Sequence, residues 1–259
     1  MNALLNRLYS DYLMPSRLER YAALLAQAKQ AGYCQTSVRA YHQLLRSGRA
    51  GSASYLVHRH DIDTDLKTAR RLFALEQRHG VHASYYFRLS TLDYGFMREI
   101  ERYGSEASYH YEEIATYAKR HHLKQAGAVR ARLPQIRQQF LHNLHRIEVA
   151  LGRQLQTVAS HGDFANRRLG LANCALLDDD ALRARCGIVC EAYDRALLDS
   201  FDLYISDRPH PQYFHPLSPF AALGRYRRIC LLTHPVQWRT NWLDSTRHNL
   251  LRLYEGLAW

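Results

Sequence analysis

The sequence predicts an α/β fold built on a parallel sheet, open or closed into a barrel. Two observations carry that expectation. Short apolar runs recur along the chain with helical patterns between them, the alternation that parallel strands require because each crossover needs a helix. The chain has 259 residues, 47% of them hydrophobic, enough for one large domain with a sizeable core.

The first 50 residues read as helices. Ser16-Arg17-Leu18-Glu19 has capping-box spacing, and Tyr21, Leu24, Leu25 and Ala28 follow on one face. A second short helix is expected over Ser37 to Leu45, then a loop over Ser47 to Ser52. Tyr55-Leu56-Val57 opens a strand near 54–60. A helix near 64–79 follows, with Ala69, Leu72, Phe73 and Leu75 as its stripe and Gly80 as its stop. Ala83 to Phe87 reads as a strand, 94–103 as a helix ended by Gly104, and Ala107 to Tyr111 as a strand. A helical region fills roughly 112–151, in which Pro134 starts or kinks a segment. Thr157 to Ser160 is the next strand. A looser stretch holds Gly187 to Val189 and Leu203 to Ile205. Ile229 to Thr233 is the last strand, and an amphipathic helix over about 243–256 closes the chain.

Composition narrows the function classes. The net charge of +11 is scattered along the chain without an RNA-binding or helix-turn-helix signature, so a phosphate-bearing substrate explains it at least as well as nucleic acid does. No apolar run is long enough for a membrane-spanning helix, and Met1 to Arg7 lacks the features of a signal peptide, so a cytoplasmic protein is expected. The five cysteines are odd in number and lack paired C-x-x-C spacing, which points to reduced, mostly buried thiols.

The most informative stretch is His60-Asp61-Ile62-Asp63, at the carboxyl end of the strand near 54–60. Its two carboxylates are two residues apart, so they share one face. Side by side they are costly unless a proton or a metal ion neutralises them, which suits a base beside a metal ligand. The plainer alternative is that Asp63 or Thr64 caps the following helix. Three further strands end in groups that bind metal or move protons: His110, His161 in Ser160-His161-Gly162, and His234 in Thr233-His234-Pro235. In parallel α/β folds the carboxyl ends of strands form the active face.

With these motifs in hand, the chain resembles the polysaccharide deacetylase family (the NodB-homology, or carbohydrate esterase 4, group). It looks closest to a divergent branch with an Arg-His-Asp-Val-Asp-like first motif, here Arg59-His60-Asp61-Ile62-Asp63. Ala83-Ser84-Tyr85-Tyr86-Phe87-Arg88, the segment Gly104 to Glu112, His161-Gly162 and His234-Pro235-Val236-Gln237-Trp238 follow in that branch's order. The similarity spans about residues 54–240. It implies a distorted (β/α) barrel of about seven parallel strands; residues 1–50, which lie outside the similarity, are expected to form a helical extension packed on a barrel of residues 51–259. It also implies a metal-dependent hydrolase that removes acetyl from an N-acetylated sugar. The implied roles are Asp61 as base, Asp63 and His110 as metal ligands, and His234 as the group that protonates the leaving amine or steadies the oxyanion.

The family's usual second histidine, four after the first, is Ile114 here. His161 is the favoured third ligand and Glu113 the alternative. A His/Asp set suits zinc, with cobalt, manganese or iron also allowed. Tyr111, Trp238 and Arg208 are the candidate substrate contacts. An acetylated sugar made inside the cell, nucleotide- or lipid-linked and destined for a surface polysaccharide such as a lipopolysaccharide O-antigen, is the expected substrate. A non-catalytic glycan-binding protein on a decayed deacetylase fold and a hydrolase of a non-sugar amide are the competing readings.

Overall fold

A computed structural model describes residues 3–259. Met1 and Asn2, which open the segment expected to lack an export signal, lie outside the described residues. One sheet holds β1 (Cys34–Ser37), β2 (Tyr55–Ile62), β3 (Ser84–Phe87), β4 (Glu106–Tyr111), β5 (Thr157–Ser160), β6 (Cys190–Glu191), β7 (Leu203–Asp207), β8 (Phe214–His215) and β9 (Arg228–Thr233). The spatial order is β6-β5-β4-β3-β2-β9-β7-β8, with β1 also on β2. Every pair is parallel except β7 with β8. The sheet curls into a half-barrel flanked by helices, so the α/β class and mostly parallel pairing hold. The strand number exceeds the expected seven because β6 and β8 are two-residue strands and β1 lies where helix was expected.

β1 changes how the first 50 residues are understood. They are not a purely helical extension. Cys34–Ser37 pairs with Tyr55–His58, and β3 pairs with Arg59–Ile62, so β1 and β3 lie end to end along one edge of β2. The junction is tied by Val38 N–H donating to Ser84 Oγ at 2.8 Å. The helix Leu18–Gln30 buries Tyr21, Leu24, Leu25 and Ala28 in a cluster with Leu72 and Leu75 of the helix Leu66–His79. The capping box expected at Ser16 does not form, because that helix starts at Leu18 with Arg17 as its cap residue.

Strand alternation sorts side chains between two layers. On β2, Tyr55 and Val57 face a small cluster inside the curl with Tyr86 and Ala159, whereas Leu56 meets the outer helices. On β3 and β4, Tyr85, Phe87, Tyr109 and Tyr111 join the outer cluster, leaving Tyr86, Ser108 and His110 for the inner face. Pro134 stands in the first turn of the helix Leu133–Leu151, where its missing N–H is no loss. Gly80 and Gly104 end their helices in the left-handed conformation, as read from the sequence.

Candidate metal centre

The carboxyl ends of β2, β4, β5, β7 and β9 meet at one cleft. In a flat sheet the ends of β2 and β4 would lie about 10 Å apart, because β3 separates them. The curl and the inward reach of the side chains close that gap. His110 Nε2 lies 3.3 Å from Asp63 Oδ1 and 3.4 Å from Asp61 Oδ2. His161, just past β5, brings its Nε2 to 3.5 Å from the same Asp63 oxygen. Asp63, His110 and His161 thus offer three ligand atoms within 4.8 Å of one another.

The helix-cap reading of Asp63 fails here. The cap of Leu66–His79 is Asp65, whose side chain accepts from Thr68 N–H at 3.0 Å. Asp63 Oδ1 is buried and has no hydrogen-bond partner among the described residues. An orphaned carboxylate oxygen facing two imidazole nitrogens fits a cation rather than a structural hydrogen bond.

Each imidazole turns its other nitrogen toward an oxygen acceptor. His110 Nδ1 donates to the Ala159 carbonyl at 2.9 Å, which leaves Nε2 as the lone-pair atom. His161 Nδ1 lies 3.3 Å from Glu112 Oε2, without the alignment of a hydrogen bond. Glu112 is clamped by Arg88 through contacts of 3.1 and 2.6 Å. Burial pushes the Glu112 carboxyl upward, but His161 and Arg88 outweigh it and hold the pKa at about 2. Burial likewise disfavours charge on His110, yet Asp61 and Asp63 outweigh it and raise its pKa. Nε2 therefore sits in a field that favours a positive charge.

Glu113, the alternative third ligand, is occupied elsewhere. Its carboxylate accepts from Tyr109 Oη, Asn143 Nδ2 and the Glu112 amide.

Asp61 is buried and held by a two-pronged pair with Arg59, 2.8 Å on each side. Burial alone would raise its pKa. The Arg59 guanidinium, helped by His110, outweighs burial and lowers it, so Asp61 stays ionised. Arg59 is buried too, under the Tyr193 ring at 4.4 Å.

His234 pairs with Asp207, at the end of β7. Its Nδ1 lies 2.7 Å from Asp207 Oδ1, and its backbone N–H donates to Oδ2 at 2.7 Å. Burial would depress the imidazole pKa, but Asp207 outweighs it and lifts it to about 9.

Two expected substrate contacts are corrected. Tyr111 is fully buried in the outer core against Phe140, because it neighbours His110 on a strand and must face the opposite layer. Trp238 is also fully buried, with Nε1 donating to Asp207 Oδ2 at 3.1 Å, so it positions the His234–Asp207 pair and offers no face to a sugar. Arg208 is exposed and lines a cleft of about 540 Å³ with Asp63, Asp207 and His234. His60 bonds Thr233 Oγ1 and Glu76 in a buried network with Tyr21 and does not touch Asp61.

Sequence reasoning missed Asp207 as the partner of His234, Arg59 as the partner of Asp61, and Glu112 as the support of His161. Only Arg59 left a signal, since it lies two residues before Asp61 on one strand face. The chain matches no protein-family model and no curated protein.

Proposed function

We propose that this chain is a metal-dependent hydrolase that removes an acetyl group from an N-acetylated sugar, on a half-barrel derived from the distorted (β/α) barrel. The observation that carries the reading is the meeting of Asp63, His110 and His161 beside an ionised carboxylate, Asp61, and a protonated imidazole, His234.

One carboxylate and two imidazoles leave positions open on a tetrahedral or larger site, a donor set that suits zinc and also admits cobalt, manganese or iron. Bound there, a divalent ion polarises a carbonyl and acidifies water. Asp61, close to His110 Nε2, accepts the proton of the attacking water. Arg59 holds that carboxylate in one orientation and keeps it charged. His234, charged near neutral pH, gives a proton to the departing amine, and Asp207 fixes the ring so that Nε2 is the atom that delivers it. Arg208, on the cleft wall, gives a phosphate-linked sugar a cation to pair with. Nucleotide- or lipid-linked acetylated sugars made in the cytoplasm for a surface polysaccharide, such as a lipopolysaccharide O-antigen, fit such a cleft.

The test is acetate release from N-acetylated sugars, nucleotide-linked and lipid-linked, by protein with zinc or cobalt measured by mass spectrometry of the metal. Stoichiometric metal and turnover are expected, with Asp63→Ala losing the metal and Asp61→Asn keeping it while losing about a hundredfold or more in rate. Stoichiometric metal without release from any of these sugars overturns the deacetylase reading.

A further inference from the structure

The closing helix, Trp242–Ala258, is turned inside out. Trp242, Leu243, Leu250, Leu251, Leu253 and Tyr254 are each more than half exposed. At about 100° per residue these six fall within one half of the helix circumference. The opposite half is polar and faces inward: Ser245, His248, Asn249 and Arg252 line the same cleft as Asp63 and His234. Asn249 donates to Asp11 Oδ2 at 2.9 Å and Thr246 Oγ1 to Tyr12 Oη at 3.3 Å, which fixes the helix on the N-terminal segment. That segment extends the apolar surface with Leu5, Leu8 and Leu13, all exposed. A soluble helix normally buries its apolar half, and an exposed patch this large marks an interaction surface.

Charge says what covers it. The carboxylates of this region are already engaged: Asp11 with Arg7, Asp244 with Asn241, and Glu255 with Lys119. Arg247 lies within the apolar half, and Arg167 and Arg168 line a hollow against the helix with Phe164, Arg252 and Gly256. None of these four arginines makes an ion pair among the described residues. A second copy of the chain would bring the same unpaired arginines face to face, which like-charge repulsion opposes. An anionic lipid surface satisfies both features, accepting the apolar side chains below its headgroups and the arginines at its phosphates.

We propose that this helix and the N-terminal segment form a peripheral docking surface for an anionic bilayer. No helix among the described residues is long and apolar enough to cross a membrane, so the contact is interfacial. Docking places the helix between the bilayer and the cleft that its other half lines. The inference stands apart from the hydrolase reading, because it concerns binding alone.

The experiment is co-sedimentation of the full chain with vesicles of phosphatidylcholine alone or mixed with phosphatidylglycerol, with analytical ultracentrifugation of the free protein alongside. Binding to the mixed vesicles is expected, weakening as salt is raised. Leu250→Ser and Leu243→Ser each weaken it by roughly tenfold. Arg247→Glu weakens it on mixed vesicles, with circular dichroism unchanged in all three. No binding to the mixed vesicles, or binding that the leucine variants leave intact, overturns the proposal. So does a dimer that Leu250→Ser dissociates in protein that ignores vesicles.

Discussion

The pair His234–Asp207 sets a pH limit that can be measured. In the proposed reaction His234 must be protonated to donate to the leaving amine, and Asp207 lifts its pKa to about 9 against the pull of burial. Deacetylation by that route is expected to hold through neutral pH and to fall as pH rises past about 9. Removing the charge with Asp207→Asn lowers the pKa toward or below the ordinary histidine value of about 6.5, so the alkaline limb of the kcat/KM profile moves to lower pH. A limb unmoved in Asp207→Asn assigns the proton donor to another group. Arg59 makes the matching argument about stability. Both partners of the Arg59–Asp61 pair are buried, so Arg59→Met leaves Asp61 as an uncompensated carboxylate and costs about 3–5 kcal/mol of folding free energy, read by urea unfolding. The double variant Arg59→Met with Asp61→Asn recovers much of that loss, since neither charge remains. At this scale some of the site was legible and some was not. The identity and spacing of Asp61 and Asp63 point to a shared face, and the same alternation would have excluded Tyr111, the immediate neighbour of His110. Asp207 carried no such mark, because only the β7–β9 pairing brings it beside His234.

At the scale of the element, the turn between β2 and the helix Leu66–His79 separates the proposed ligand from the cap within three residues. Asp65 takes the left-handed conformation, φ 52°, and its side chain accepts from Thr68 N–H and from Asn241 Nδ2. Asp63 makes no hydrogen bond through Oδ1 and faces the imidazoles. Asp65→Ala is expected to cost about 1–2 kcal/mol in thermal or urea unfolding while zinc affinity, measured by calorimetry, stays within a fewfold. Asp63→Ala does the reverse, abolishing tight zinc binding with little loss of stability in metal-free protein. Equal effects of the two on unfolding would return Asp63 to a capping role. The helix itself was legible from its apolar stripe and from Gly80, but the choice among three clustered acceptors, Asp63, Thr64 and Asp65, depends on backbone angles that periodicity does not reveal. β1 was illegible for a different reason. Cys34-Gln35-Thr36-Ser37 is short and polar, with none of the apolar alternation that marks a strand, and it exists because β2 offers it an edge.

For the whole molecule, that edge decides whether residues 1–50 are an appendage or part of the domain. A detachable extension would leave residues 51–259 able to fold alone. The pairing says otherwise: removing residues 1–50 strips β1 from Tyr55–His58, so half of one edge of the central strand loses its ladder partner. It also removes Tyr21, Leu24 and Leu25, which are fully buried against Leu72, Leu75 and Trp238. At about 1.5–3 kcal/mol for each large side chain, the three alone rival the 5–15 kcal/mol that stabilises a typical domain. The loss reaches the site as well. Tyr21 Oη donates to Glu76, the carboxylate that holds His60 under the strand carrying Asp61, and Arg17 stacks at 4.9 Å on Trp238, which braces Asp207. A fragment of residues 51–259 is therefore expected to show no cooperative thermal transition by circular dichroism and to be cleaved rapidly by trypsin under conditions that leave the full chain intact. A fragment that melts cooperatively near the temperature of the full chain would restore the first 50 residues to the status of an extension, and would locate the stability of the cleft wholly within the strands that follow.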